Sequence, residues 1–172
     1  MCFVGRLDTQ KNLESLLDAL RGLPDVRLTV VGEGPLRSAL EARARAHGVH
    51  AEFIGRVAHS DLPTVLNRSE VFVLPSHYEG NPKALVEAMA CGLPVIGARS
   101  PGIKEIVIHG ETGFLCGTSP AEIRSAVLEV SNDPALRERI RQGGLQYVQQ
   151  SCSLTFAAER ERAVLASIVS VT

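Results

Sequence analysis

The chain has 172 residues, 45% of them hydrophobic and 22% charged, with a formal net charge of −1 at pH 7. This length and apolarity suffice to bury a full core, which excludes disordered and fibrous classes and is met most simply by one domain spanning residues 1–172. The near-zero charge, with no long run of lysine or arginine, excludes the electrostatic footprint that a nucleic-acid partner demands.

The sequence opens on MCFVGR, an apolar run that reads as the tail of a strand ending at Val4. A complete domain rarely begins inside a strand that its sheet would bury, so the chain is expected to be a fragment of a longer protein. Leu13, Leu16, Leu17 and Leu20 then recur at i, i+3, i+4 and i+7 behind Asp8 or Thr9 as a cap, the pattern of an amphipathic helix. Further short β-branched runs end at Val31, Ile54, Leu74 and Ile96, each followed by a glycine or proline turn. Between them fall a helix over residues 35–47 that stops at Gly48, a brief one from a Ser60 cap through Val65, and one over residues 82–91. The last has Asn81 as its N-cap, Pro82 in its first position and Gly92 as its stop. From Ser119 onward the pattern is helical only, over residues 119–131, 134–150 and 154–170.

Strands alternating with helices at this pace predict right-handed βαβ units and a parallel sheet covered on both faces. The expected fold is therefore α/β: a Rossmann-like three-layer sandwich with about six parallel strands and extra C-terminal helices. In such sheets ligands bind beyond the carboxyl ends of the strands. That places the candidate site in the loops 5–11, 32–35, 55–57, 75–81 and 97–104. Cys2, Cys91, Cys116 and Cys152 fit no zinc or redox spacing and read as reduced, mostly buried thiols, so no metal site is expected. There is no signal peptide and no apolar run near the ~20 residues of a membrane span, which predicts a soluble, cytoplasmic protein.

Three of these loops carry candidate chemistry. In GRLDTQK, Arg6 and Lys11 bring two cations to a place where exposed backbone N–H groups already favour anions, which suits a phosphate or diphosphate. Both side chains extending into solvent is the competing reading. GEGP, from Gly32, allows a ligand close to the backbone but is equally an ordinary turn. It also fails as a dinucleotide fingerprint, because Arg37 stands where the last glycine of G-x-G-x-x-G belongs, and this disfavours a Rossmann oxidoreductase.

In HYEGNPKALVEAMACG the helix is apolar around nearly its whole circumference except at Lys83 and Glu87, one turn apart, and is expected to be buried almost all round. Lys83 in the first turn opposes the helix dipole, and lysine before glutamate is the poorer order for an i, i+4 pair. Glu87, leaning toward the helix N-terminus, is expected to reach toward the loop that holds Glu79 and Gly80. Two carboxylates and a lysine gathered there suit sugar hydroxyls, or an acid/base pair as in glycoside hydrolysis. A solvated salt-bridge stripe is the alternative.

Taken in order, VGRLDTQKN, VVGEGPLRSALE, FIGRV, VFVLPSHYEGNPKALVEAMACGLPVIG and PGIKEIVIHGETGFL resemble the C-terminal domain of a retaining GT-B glycosyltransferase of group 1, family 4. The resemblance implies transfer of a sugar from a UDP- or GDP-linked donor to a saccharide or lipid-linked acceptor, with retention and without a metal cofactor. Arg6 and Lys11 match the basic pair that holds the donor diphosphate. Glu79 matches the glutamate near the transferred sugar, and Glu87 the one on the ribose. Gly80, Asn81 and Lys83 match the segment that contacts sugar and phosphate. Gly5, Gly32 and Arg56 fall on loops near the nucleotide. Asn81, Pro82 and Lys83 stand where many members have Phe-Gly-Leu, and Pro82 has no N–H to donate. The resemblance also implies an N-terminal acceptor domain ahead of this segment, through which peripheral membrane contact would occur. Without that domain the chain is expected to be inactive alone. A non-catalytic nucleotide-binding or regulatory module of the same fold is the alternative.

Overall fold

The computed structural model describes residues 1–151. Its six strands are β1 (Cys2–Val4), β2 (Arg27–Val31), β3 (His50–Gly55), β4 (Phe72–Leu74), β5 (Val95–Ala98) and β6 (Phe114–Cys116). They form one sheet in the order β3-β2-β1-β4-β5-β6, with every neighbouring pair parallel. The helices are α1 (Leu13–Leu20), α2 (Arg37–Ala46), α3 (Leu62–Leu66), α4 (Lys83–Ala90), α5 (Pro120–Asn132) and α6 (Pro134–Ser151). This is the Rossmann-like arrangement expected from the alternation. Its central strands are continuous apolar runs because helices cover both faces: every residue of β4 and β5 is buried.

α1 shows how the pattern becomes packing. Leu13, Leu16, Leu17 and Leu20 are at most 1% exposed, and each contributes about 1.5–3 kcal/mol by leaving water. Its last carbonyls are met from α5, where the Arg124 guanidinium donates to Ala19 O at 2.8 Å and Arg21 O at 2.7 Å. On the other side, Arg43 of α2 makes a forked pair with Asp18, at 2.7 and 2.6 Å. This hydrogen bonding holds the Asp18 carboxyl below its ordinary range. α5 starts in a capping box, with Ser119 accepting from the Glu122 N–H and the Glu122 carboxylate from the Ser119 N–H.

Several element ends differ from expectation. The run that becomes β6, Phe114–Cys116, was not among the strands read: it holds no β-branched residue, the signal that marked the others. Asp8 caps a one-turn 3-10 helix (Thr9–Lys11), and α1 begins only at Leu13. α2 starts at Arg37 rather than Pro35, because Leu36 holds φ −89°, ψ 0° and the Arg37 N–H turns back to Gly34 O. α3 is preceded by Asp61 rather than capped by Ser60, whose hydroxyl bonds the Asp61 carboxylate at 3.3 Å.

α4 carries two corrections. Asn81 does not cap it: Pro82 holds the N-cap position at φ −78°, ψ 62°, and no side chain caps that end. Nor is it buried all round, since Leu85, Ala88 and Met89 face the core while Lys83 and Ala90 are exposed. Its other apolar positions are mostly alanine, which costs little to leave in water. The helix expected over residues 154–170 lies outside the described residues.

Candidate functional site

The order of the sheet locates the site without reference to any side chain. Chain order runs outward one way through β1, β2 and β3 and the other way through β4, β5 and β6. The switch point therefore lies between β1 and β4, where an open α/β sheet forms its ligand crevice. Lys11 lies on the loop after β1 and Glu79 on the loop after β4.

These two side chains meet. Lys11 Nζ donates to Glu79 Oε1 at 2.6 Å, with the side chains only 17% and 6% exposed. The Glu79 loop is held from behind by the turn after β5: the Glu79 N–H donates to Pro101 O at 3.0 Å. Gly102, at φ 81°, packs so closely that a Cβ there would lie 2.0 Å from Glu79 O. Only glycine fits both the conformation and the space.

The loop after β1 is fastened to the same region from both sides of Lys11. The Gln10 side-chain amide donates to Tyr78 O at 2.9 Å, and Gln10 O accepts the His77 N–H at 2.9 Å. Asn12, only 6% exposed, donates from its amide to Pro75 O at 3.1 Å and Thr118 O at 2.9 Å.

A second region adjoins the first. Gly5, Arg6, Gly32, Glu33, Arg56 and Val57 line a cleft of about 550 Å³ at the carboxyl ends of β1, β2 and β3. Continued ladder bonds shape it, Gly5 N–H to Val31 O at 3.0 Å and Gly32 N–H to Gly55 O at 2.7 Å. Gly32 holds φ 134°, and a Cβ on it would lie 1.8 Å from Gly5 O, so the two loop backbones can touch only if it is glycine. A larger side chain is thereby also kept out of the cleft floor. Other depressions lie at the opposite end of the sheet, around Cys91 and Arg137 or Met1 and Val127.

The sequence-selected residues thus divide. Gly5, Arg6, Gly32 and Arg56 share the cleft, and Lys11 and Glu79 share the ion pair. Arg6 does not join Lys11 on one anion site: it is exposed and pairs with Asp8 at 3.6 Å. Nor does Glu87 turn to the Glu79 loop. Its carboxylate faces His59 Nδ1 at 3.6 Å, on the segment between β3 and α3. The pattern of two carboxylates around Lys83 is therefore corrected to two separate pairs, and Lys83 makes no ion pair among the described residues. Gly80, Asn81 and Lys83 are exposed around the uncapped start of α4, where N–H groups and the helix dipole favour an anion.

Sequence reasoning passed over Gln10, Asn12, His59 and Gly102. Asn12 stands directly before α1, yet its side chain caps nothing there and its backbone is left-handed, at φ 56°. Burial pushes the Cys2 and Cys91 thiols up, and Cys116 to about 11, which favours the protonated thiols at neutral pH; Cys152 lies outside the described residues. Among the described residues no group of three or more His, Cys, Asp or Glu could hold a metal ion, and no helix is long and apolar enough to cross a membrane.

Residues 1–147 match the family model described as glycosyl transferases group 1. The chain belongs to the glycosyl transferases group 1 family. Glycogen synthase of Mycobacterium tuberculosis is 36% identical over 146 residues, covering 81% of this chain and 35% of that protein. The D-rhamnosyltransferase WbpZ of Pseudomonas aeruginosa is 38% identical over 143 residues, covering 80% of this chain and 37% of its own length. Among solved structures, sucrose-phosphate synthase from Thermosynechococcus elongatus superposes with a TM-score of 0.88 at 26% identity, over 99% of this chain and 46% of that one. Anabaena HepE in complex with UDP and glucose has the same score at 24% identity, over 96% of this chain and 47% of its own, a likeness of fold. The group 1 chain thus spans about a third of these curated relatives and about half of these solved chains.

Proposed function

We propose that this chain is the donor-binding part of a glycosyltransferase that moves a sugar from a UDP- or GDP-linked donor to a saccharide or lipid-linked acceptor, with retention at the anomeric carbon. The observation that carries the proposal is the Lys11–Glu79 pair, shielded from water at the switch point of the sheet beside the uncapped N-terminus of α4. A cation and a hydroxyl-accepting carboxylate beside the positive end of a helix that no side chain caps fit a nucleoside diphosphate joined to a sugar. UDP and glucose are the ligands of the fold-related HepE, in agreement with this chemistry.

Breaking the sugar–diphosphate bond builds negative charge on the leaving phosphate. Lys11, the α4 N-terminus and Arg6, swung from Asp8, stabilise it where it develops, and they supply that neutralising charge without calling on a metal. Glu79 accepts from hydroxyls of the transferred sugar and positions it; it is not the nucleophile of a glycosidase. The leaving phosphate takes the acceptor proton. Gly5, Gly32 and Arg56 shape the cleft toward the nucleoside, and Glu87, released from His59, holds the ribose. Gly80, Asn81 and Lys83 flank the diphosphate, with Lys83 in place of the amide that Pro82 lacks. Acceptor recognition falls to the part of the relatives that this chain does not match, together with any contact with a membrane surface, and the 172 residues alone turn over no donor.

Calorimetric titration of UDP, GDP and ADP and their sugars tests this reading, repeated on Lys11→Ala and Glu87→Ala. One base binds in preference, and both variants weaken it. Absence of binding to every nucleotide, or unchanged affinity in both variants, overturns the donor site. Sugar transfer sustained by this chain alone overturns the division of labour.

A further inference from the structure

Lys11 can act on a diphosphate only if its ammonium is held at one place in the crevice, and a lysine has four rotatable side-chain bonds with which to leave it. Nothing in its own short 3-10 turn restrains it, since Asp8 caps only the backbone N–H. Beyond its bond to Glu79, the restraint comes from its two neighbours. Gln10 and Asn12 each send a side-chain amide across to the segment after β4, at Tyr78 O and Pro75 O, on either side of the Lys11–Glu79 contact. Asn12 reaches a third segment as well, at Thr118 O just before α5. Its left-handed backbone aims the amide inward; it is the only non-glycine with positive φ among the described residues.

A buried asparagine at φ 56° that donates both amide hydrogens to carbonyls of other loops is not a helix cap. It is a tie between three segments that meet at the switch point.

We infer that Gln10 and Asn12 are positioning residues for Lys11: they fix the loop after β1 against the Glu79 loop, so that the ammonium stands where a donor diphosphate binds. This rests on the donor-site reading above. Neither residue touches the ligand, and each acts through the place it gives Lys11. Asn12→Gly keeps the left-handed conformation at little strain while deleting both bonds. Gln10→Ala deletes the other tie at a half-buried position.

The experiment is a pair of double-mutant cycles on the chain itself, read by calorimetry with UDP, GDP or ADP, whichever binds the unmodified protein. Asn12→Gly is expected to weaken binding on the order of tenfold, comparable to the net worth of one or two hydrogen bonds, and Gln10→Ala about threefold. In the Lys11→Ala background the same changes should leave affinity unaltered, since the group they position is gone. A residue with a merely structural role would weaken binding equally in both backgrounds, and that additive result overturns the inference while leaving the donor site standing. So does parent-like affinity in both single variants. A Lys11→Ala protein that binds as the parent does refutes the donor-site role of Lys11 and the inference with it. Should Asn12→Gly melt below the working temperature, the Gln10→Ala cycle alone decides.

Discussion

The Lys11–Glu79 pair gives a sharp test, because its two partners differ in access to water. Removing one partner of a buried pair costs about 3–5 kcal/mol by stranding the other charge, whereas exposed pairs are worth about 0–1 kcal/mol. Glu79 is 6% exposed and Lys11 17%, so the cost falls between these limits and is unequal. In Lys11→Met the short glutamate side chain stays behind, unpaired and shielded, and a loss of about 2–3 kcal/mol is expected. In Glu79→Gln the long lysine stem can carry its ammonium outward, and the loss is about 1–2 kcal/mol. The double variant, with neither charge, should return to within about 1 kcal/mol of the parent. Urea unfolding of the four proteins, with slopes checked for constancy, gives these values. If the single losses simply add in the double variant, or if Glu79→Gln costs more than Lys11→Met, the reasoning from burial is wrong.

Other consequences can be measured in the same way. Gly102→Ala forces a Cβ against Glu79 O at an unfavourable φ, so it should cost about 1–3 kcal/mol in unfolding free energy and weaken nucleotide binding through the displaced Glu79 loop. Ser119→Ala removes the α5 cap and should lower stability by about 1 kcal/mol without touching binding. The Asp18 carboxyl is held below its ordinary range by Arg43, so its pairing supports the fold fully above the unfolded value of ~3.9. This support is lost as pH falls through the lower folded value. Asp18→Asn should therefore cost about 0.5–1 kcal/mol at pH 7, solvent screening of the partly exposed pair included. The gap should close below about pH 4; an equal gap at pH 3 and pH 7 would refute the assignment.

Much of this was legible in the sequence because period and punctuation report the backbone. The leucines of α1, the β-branched strand runs and the glycines at Gly32 and Gly92 all mark turns and faces that the structure keeps. β6 was not among the segments read because Phe114, Leu115 and Cys116 include no β-branched residue, whereas the equally short β1 and β4 each carry a valine. Asn81 looked like the cap of α4 because asparagine before proline before a helix usually is one, yet Pro82 itself took that place. The partners that Glu87 and Arg6 take were hidden for another reason. Helix geometry says which way a side chain leaves its own element, but its partner depends on what another loop brings near, and nothing around Glu87 in sequence announces His59. Asn12 hid for the same reason: the carbonyls it bonds, Pro75 O and Thr118 O, lie 63 and 106 residues away along the chain.

The strand order has a further consequence, for the route by which the protein folds. β1, β2 and β3 with α1 and α2 form one continuous stretch of chain, whereas Lys11 and Glu79 are 68 residues apart. The site comes into being only when β4 docks beside β1, a parallel pairing of distant segments and hence among the slower events. On the proposed donor-site reading, a nucleotide bound there would touch both halves and tie together the contact that forms late. It should therefore stabilise the native state by an amount that grows with the logarithm of its free concentration above Kd, and act chiefly by slowing unfolding rather than by hastening folding, as interactions absent from the folding transition state do.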